Sequence, residues 1–277
     1  MAITNFIPTI WSENLLTSLD GQYIGVANCN RSYEGEITSM GSKVKICGVG
    51  DITIGDYTKD TDMSTPQTLS DTATELVINQ AKYFNFQVDD IDRTQCSPKL
   101  LDAAMKNAAN ALAREADAYV YSLVTDDNIE SVYVRVSDNN LIDGILKCRE
   151  MLYKNNVIDS SDIVIEITPT VATGLIKEQA TAFSYNNDTL TTGCIGTISG
   201  CKIFVSNNVQ IQDDTSSQIH HCVVRTKRAV AFAEQLSEIE AYRPEKRFAD
   251  AVKGLHLYGA KIVYPDEIIR LNVGIDK

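Results

Sequence analysis

The apolar positions change period several times along the chain. From residue 43 to 60, KVKICGVGDITIGDYTKD alternates apolar and polar residues on both sides of Gly48 and Gly50, which predicts a two-stranded ribbon with glycines at its bends. An isolated ribbon is marginally stable in water, so this one is expected to lie against a partner surface. Ser97-Pro98 then supplies a helix cap with proline at the first helical position. Leu101, Ala104, Met105, Ala108, Leu112, Ala116, Tyr119 and Leu123 continue as a helical stripe. With no glycine and no further proline before Val124, the pattern predicts one helix about 40 Å long, a scaffold element. A second amphipathic helix is predicted over about 140–154, with Leu141, Ile142, Ile145, Leu146 and Leu152 on one side and Asn155-Asn156 as its stop. DIVIEITP reads as a buried strand that leads through Pro169 into a short helix, TVATGLIKE.

Residues 191–209, TTGCIGTISGCKIFVSNNV, concentrate glycine, serine and cysteine, and three chemistries can be tested on them. A serine nucleophile turn needs G-x-S-x-G, but Gly196 stands one residue too far from Ser199. A phosphate loop needs Lys-Ser/Thr opening a helix, whereas Lys202 is followed by strand-forming Ile-Phe-Val. Cys194 and Cys201 lie too far apart for a zinc knuckle. What remains is a hairpin with Gly200 at its turn and 201–205 as its second strand. The C-terminal third is strand-rich, through HHCVVRT, SEIEAYR and AVKGLHLYGAKIVY. Strands and helices interleave without regular βαβ alternation, so the predicted class is α+β. Residues 1 to about 37 carry isolated apolar anchors, among them Phe6, Ile10, Trp11 and Leu15. They read as an arm that packs on something else.

Composition narrows the function. The chain has 277 residues, 44% of them apolar, enough for a substantial core. It carries 25 basic and 37 acidic residues, a net charge of −12, which disfavours binding to a phosphate backbone. No apolar run is long enough to span a membrane, and MAITNFIPTIWSENLL lacks the pattern of a signal peptide, so synthesis and assembly in the cytoplasm are expected. The seven cysteines are scattered, without C-x-x-C, and read as small reduced hydrophobes. Asp89, Asp90 and Asp92 could hold a hard cation, but no complete metal loop surrounds them and a solvated turn is the better reading. His220 and His221 are adjacent, which puts them on opposite faces of a strand, and His256 stands alone between two leucines. No triad, metal site or cofactor site is predicted.

Several segments together resemble the major capsid proteins of tailed bacteriophages, the Hong Kong 97-type fold. They occur in that family's order: GSKVKICGVGDITIGDY, LVINQAKYFNFQVDDID, a long helix ending ALAREADAYV, IVIEITPTVATGLIKE, IGTISGCKIFVSNNV, and EAYRPEKRFADAVKGLHLYGAKIVYPDEIIRL. The resemblance spans roughly residues 36 to 270. It implies an N-terminal arm at 1–37, an extended loop at 38–80, a peripheral domain at 81–136 and 234–277 built on the long spine helix, and an axial domain at 137–233. It further implies a non-enzymatic subunit that self-assembles, as hexamers and pentamers, into the icosahedral head of a virion. Double-stranded DNA is enclosed there but not specifically bound, and a scaffolding protein and a portal are the expected partners. Lys43, Ile46, Ile52, Ile54, Tyr57 and Lys59 of the extended loop, and Phe6 and Trp11 of the arm, are the expected intersubunit residues. The resemblance leaves a second shell open, a nanocompartment of the encapsulin type. The residues alone leave a metal-dependent hydrolase built on Asp89, Asp90 and Asp92.

Overall fold

The computed structural model describes residues 19, 22–33, 41, 43–49, 54, 56, 59, 62, 65, 71–89, 99–125, 128–136, 140–157, 162–178, 194–214, 217–245 and 249–276. The described strands form three sheets. Strands β1 (Lys43–Val49) and β2 (Asp71–Val77) make a two-stranded ribbon. A three-stranded antiparallel sheet holds β11 (Ala249–Ile262) between β10 (Val230–Tyr242) and β3 (Gln80–Asp89). The largest sheet runs β4 (Ser131–Arg135), β12 (Ile268–Asp276), β9 (Ser217–Thr226), β5 (Ile163–Ile167), β7 (Cys201–Val205) and β6 (Cys194–Ile198), with β8 (Ile211–Asp213) also paired to β9. Its β4–β12 and β5–β7 pairs are parallel and the others antiparallel. The architecture is α+β, as the interleaved pattern predicts.

Three helices position these sheets. Helix α1 (Lys99–Leu123) is the long spine, its 25 residues spanning about 37 Å. Its stripe is wider than the sequence pattern: Ala109, Ala113, Asp117, Val120 and Tyr121 are buried alongside Met105, Leu112 and Ala116. Helix α2 (Leu141–Lys154) ends where Asn155-Asn156 predicts. Asn156 takes the left-handed conformation at φ 64°, and the Val157 N–H returns to the Leu152 carbonyl at 3.0 Å. Helix α3 (Pro169–Glu178) follows β5 directly, and its Glu178 carboxylate accepts the Leu141 and Ile142 N–H groups at 3.0 and 3.4 Å, closing the open start of α2. Helices α2 and α3 cover one face of the large sheet. Ile145, Cys148 and Leu152 meet Val134, Cys222, Val224, Leu271 and Val273 there.

Three sequence expectations change. The ribbon does not fold back at Gly48, and Gly50 lies outside the described residues. β1 runs through Gly48, which pairs with Thr72, and its partner is β2. Alternation identifies a strand but not the strand it pairs with. Strand β10 starts at Val230 rather than near Ser237, because a register shift between Leu236 and Glu238 breaks the alternation midway. Sheet membership cuts across the contiguous segments: β4 and β12, placed by sequence with the peripheral segments, are hydrogen-bonded into the large sheet, while 230–233 belong to the three-stranded one. The hairpin expected in the 191–209 stretch is present, with Gly200 at its turn. Ser199 (φ 50°) and Gly200 (φ 88°) make the two-residue turn of the β6–β7 hairpin, and Gly196 sits within β6.

The part of the arm that is described packs on its own subunit. Leu19, Tyr23, Val26 and Cys29 join the core formed by α1, Phe232, Val252, Tyr258, Val223 and Ile268. Asn30 adds a short bridge to β10, accepting from the Phe232 N–H at 3.0 Å and donating to Val230 at 2.9 Å.

Candidate assembly site

The described strands of the ribbon dock on the body of their own subunit. Val44 and Ile46 of β1, with Leu76 of β2 and Ile78 just beyond it, bury themselves against Ala231, Ala233 and Leu257 of the three-stranded sheet. The approach is close enough that a Cβ on Gly259 would collide with the Val77 carbonyl oxygen. Lys261 reinforces the contact by donating to the Glu75 carbonyl at 3.0 Å, and Lys43 pairs with the Glu75 carboxylate at 2.7 Å. Ile46, expected between subunits, is therefore only 5% exposed within its own chain, where it anchors the ribbon. Ile54 is 93% exposed and Lys59 is exposed. Ile52, Tyr57, Phe6 and Trp11 lie outside the described residues.

A buried polar network that the sequence reading did not anticipate fastens the arm to the body. Arg225 of β9 forms a bidentate pair with Glu166 of β5, through Nε and Nη2 at 3.0 Å each, and both side chains are buried. Its remaining N–H groups reach the Gly25 carbonyl at 2.8 Å and the Asn28 carbonyl at 2.9 Å, both on the 3-10 turn Val26–Asn28 and its cap. Asn28 returns a hydrogen bond to Glu166 at 3.1 Å. From the other side, Asp117 of α1 accepts the Ile24 and Val26 N–H groups at 3.1 and 2.9 Å. Burial pushes the Asp117 carboxyl up to about 6 despite these donors. The signal available in the sequence was a charge inside an apolar run, Glu166 in IVIEI and Arg225 in CVVRT. Such a charge in a buried strand requires a partner.

A second polar knot holds the arm at Tyr23 and Arg31. Glu234 of β10 accepts from the Tyr23 hydroxyl, from Arg31 at 2.6 Å, and sits 2.8 Å from His256 Nε2. Burial alone would raise its pKa. The hydrogen bonds from His256 and Tyr23, with the charges of His256 and Arg31, outweigh burial and hold it below the ordinary carboxylate range.

The remaining candidate chemistry does not converge. His220 and His221 point to opposite faces, His220 to Thr168 Oγ1 at 2.9 Å and His221 to Asn272 Oδ1 at 2.7 Å. Asp89 ends β3, while Asp90 and Asp92 lie outside the described residues. Among the described residues no three His, Cys, Asp or Glu side chains come together as a metal site, and no helix is long and apolar enough to cross a membrane. Cys29, Cys148, Cys201 and Cys222 are free and buried, and burial pushes the Cys148 and Cys222 thiols up to about 12.

The described residues form a body on which the β1–β2 ribbon docks, and known structures match the fold over nearly the whole chain. A structure from Mycobacterium phage Che8 is 29% identical over 98% of both chains, with a TM-score of 0.67. The capsid of Ralstonia phage GP4 matches 92% of this chain and 90% of its own at 10% identity and a TM-score of 0.66. A virus-like particle from Pyrococcus furiosus matches 96% and 99% at 12% identity and a TM-score of 0.58. No protein-family model matches the chain, and no curated protein matches its sequence. The chain has the fold of a capsid shell protein. Within that class it is the fold of the major capsid proteins of tailed phages, the one its sequence resembles.

Proposed function

We propose that the protein is the structural major capsid protein of a tailed bacteriophage, which self-assembles into an icosahedral head around double-stranded DNA. The observation that carries this reading is the ribbon. Its base is fixed to the subunit by Val44, Ile46, Leu76 and Ile78, while Ile54 stands exposed, which supports an intersubunit contact there. Many copies of such a modest contact, repeated around a closed shell, add up to a stable container.

In this reading α1 with the three-stranded sheet is the peripheral domain, and the large sheet with α2 and α3 is the axial domain about which hexamers and pentamers form. The extended loop reaches a neighbour through Ile52, Ile54, Tyr57 and Lys59, and the arm does so through Phe6 and Trp11, upstream of the docked residues 22–33. A scaffolding protein and a portal are the partners in the host cytoplasm. The net charge of −12 keeps DNA contained rather than bound.

A nanocompartment is the second reading, favoured by the likeness to a virus-like particle. The much higher identity to the Che8 structure supports the phage reading over it. Electron microscopy of purified protein, with and without scaffolding protein, is the test. Uniform hollow particles are expected, and a protein that stays monomeric under both conditions would sink the shell reading. Particles that package an enzyme from the host and take no part in DNA packaging would favour the nanocompartment.

A further inference from the structure

The large sheet is covered unequally on its two faces. Helices α2 and α3 cover one face. On the other, Val223, Arg225 and Ile268 lie under the arm and α1, but the residues further along the same strands lie open. Tyr133, Gln210, Ile211, His221, Arg270 and Asn272 line a cleft of about 440 Å³ there. Tyr133 is 50% exposed and Ile211 46% exposed at the cleft. Arg270 extends into it with little to hold it. Among the described residues its Nε is buried without a partner and its side chain makes one long hydrogen bond, Nη1 to the Val124 carbonyl at 3.4 Å. An arginine so placed calls for a carboxylate.

The opposite side of the same domain presents the complement. On α2, Leu146, Arg149 and Tyr153 follow helical spacing at the edge of the core-facing side, beside Ile142, which still packs on the core; Leu146 is 39% and Tyr153 37% exposed. Arg149 is folded onto Tyr153, its guanidinium 4.9 Å from the ring centroid and its Nη2 2.7 Å from the hydroxyl, so it is not available to repel another cation. Asp143, one turn before Leu146 on the same side, is exposed.

We infer that the cleft receives helix α2 of a second copy of this chain, with Leu146 entering between Tyr133 and Ile211 and the Asp143 carboxylate meeting Arg270. The helix side and the cleft side are different surfaces, so the contact is head-to-tail and closes into a ring when the rotation per copy allows. This rests on the shell reading and assigns to it the contact around each capsomer axis. DNA phosphate is the competing occupant of a cleft with an arginine. The paired leucine and carboxylate on α2 favour a second copy.

The test uses the full chain with its scaffolding protein, read by sedimentation velocity and electron microscopy, with circular dichroism melts of the unassembled subunit. Leu146→Asp, Asp143→Arg and Arg270→Asp are each expected to cut the yield of shells at least tenfold with the melt unchanged. The double variant Asp143→Arg with Arg270→Asp is expected to regain shells. If Arg270→Asp does not fold, Arg270→Gln and the surface change Leu146→Asp carry the test alone. Shells from Leu146→Asp at wild-type yield would overturn the docking. Failure of the double variant to regain what both single variants lost would overturn the Asp143–Arg270 pairing. Arg270→Gln particles that assemble normally but retain less DNA would assign the cleft to phosphate instead. A wild type that never assembles would fail the shell reading itself, an outcome distinct from all of these.

Discussion

Strands β5 and β1 both read as strands in the sequence, yet they bury themselves in opposite ways. All five residues of β5 are buried, sandwiched between α2 and α3 on one side and the arm and spine on the other. Strand β1 alternates, with Val44 and Ile46 inward and Lys43 and Lys45 outward, and it rests on the body by one face only. The difference separates two tasks. A strand locked on both faces fixes the shape of the subunit, while a strand docked on one face can hold a projecting loop whose contacts lie elsewhere.

The largest effect is expected where β5 carries its charge. Glu166→Ala would leave Arg225 buried without its carboxylate, and breaking a buried pair by removing one partner costs about 3–5 kcal/mol. Denaturant titration of the unassembled subunit should show a loss of that size. A midpoint close to wild type would mean that Gly25, Asn28 and Cys29 suffice to hold the guanidinium.

A second test of the body concerns pH. The folded-state pKa of Asp117, about 6, lies above its ordinary value of 3.8, so the native subunit binds more protons than the unfolded chain between those values. Its contribution is fully present below pH 4 and is lost as pH rises through 6. A shift of that size corresponds to about 3 kcal/mol at most. Asp117→Asn should flatten this part of the stability profile from pH 4 to 6. An unchanged slope would assign the dependence to other groups.

How much of this was legible in the sequence follows the same division. Helices α2 and α3 were read nearly to the residue, because their apolar spacing, the Asn155-Asn156 stop and Pro169 are all local signals. The turn at Ser199-Gly200 was equally local. The β1–β2 pairing was not, since β2 lies more than twenty residues from β1 and alternation is silent on partners. Strand β12 is central to the large sheet, and its alternation was present in the sequence, with Ile269, Leu271, Val273 and Ile275 on one face and Arg270, Asn272, Gly274 and Asp276 on the other; what local pattern does not carry is its place between β4 and β9. The Arg225–Glu166 pair joins residues 59 apart in sequence. Each charge alone was visible as an anomaly in an apolar run, but their meeting was a property of sheet order.

The ribbon base should respond more weakly than the body. Leu76 is fully buried against the three-stranded sheet, and a buried Leu→Ala change costs about 2–5 kcal/mol when the whole fold feels it. Here the ribbon can detach by itself, so Leu76→Ala is expected to lower global stability by only about 1 kcal/mol while speeding amide exchange in β1 and β2. A full loss of several kcal/mol in the global transition would show that the ribbon folds as one unit with the body.

The smallest effect on the subunit, and the sharpest separation of the two regions, belongs to Ile54. At 93% exposure its side chain makes no contribution to the core, so Ile54→Ser should change subunit stability by no more than about 0.5 kcal/mol in either direction. If a neighbour covers the same residue in a shell, as proposed, its burial is worth about 1.5–3 kcal/mol relative to exposure. That loss is repeated at every copy, so a change invisible in the melt of the monomer should raise the concentration needed for assembly by an order of magnitude or more. Light scattering across a concentration series, beside a melt of the unassembled protein, measures both quantities on one sample. An unaltered assembly threshold would remove Ile54 from the intersubunit contact. A lowered melt would show instead that the loop folds onto its own subunit, collapsing the distinction between docked base and projecting tip.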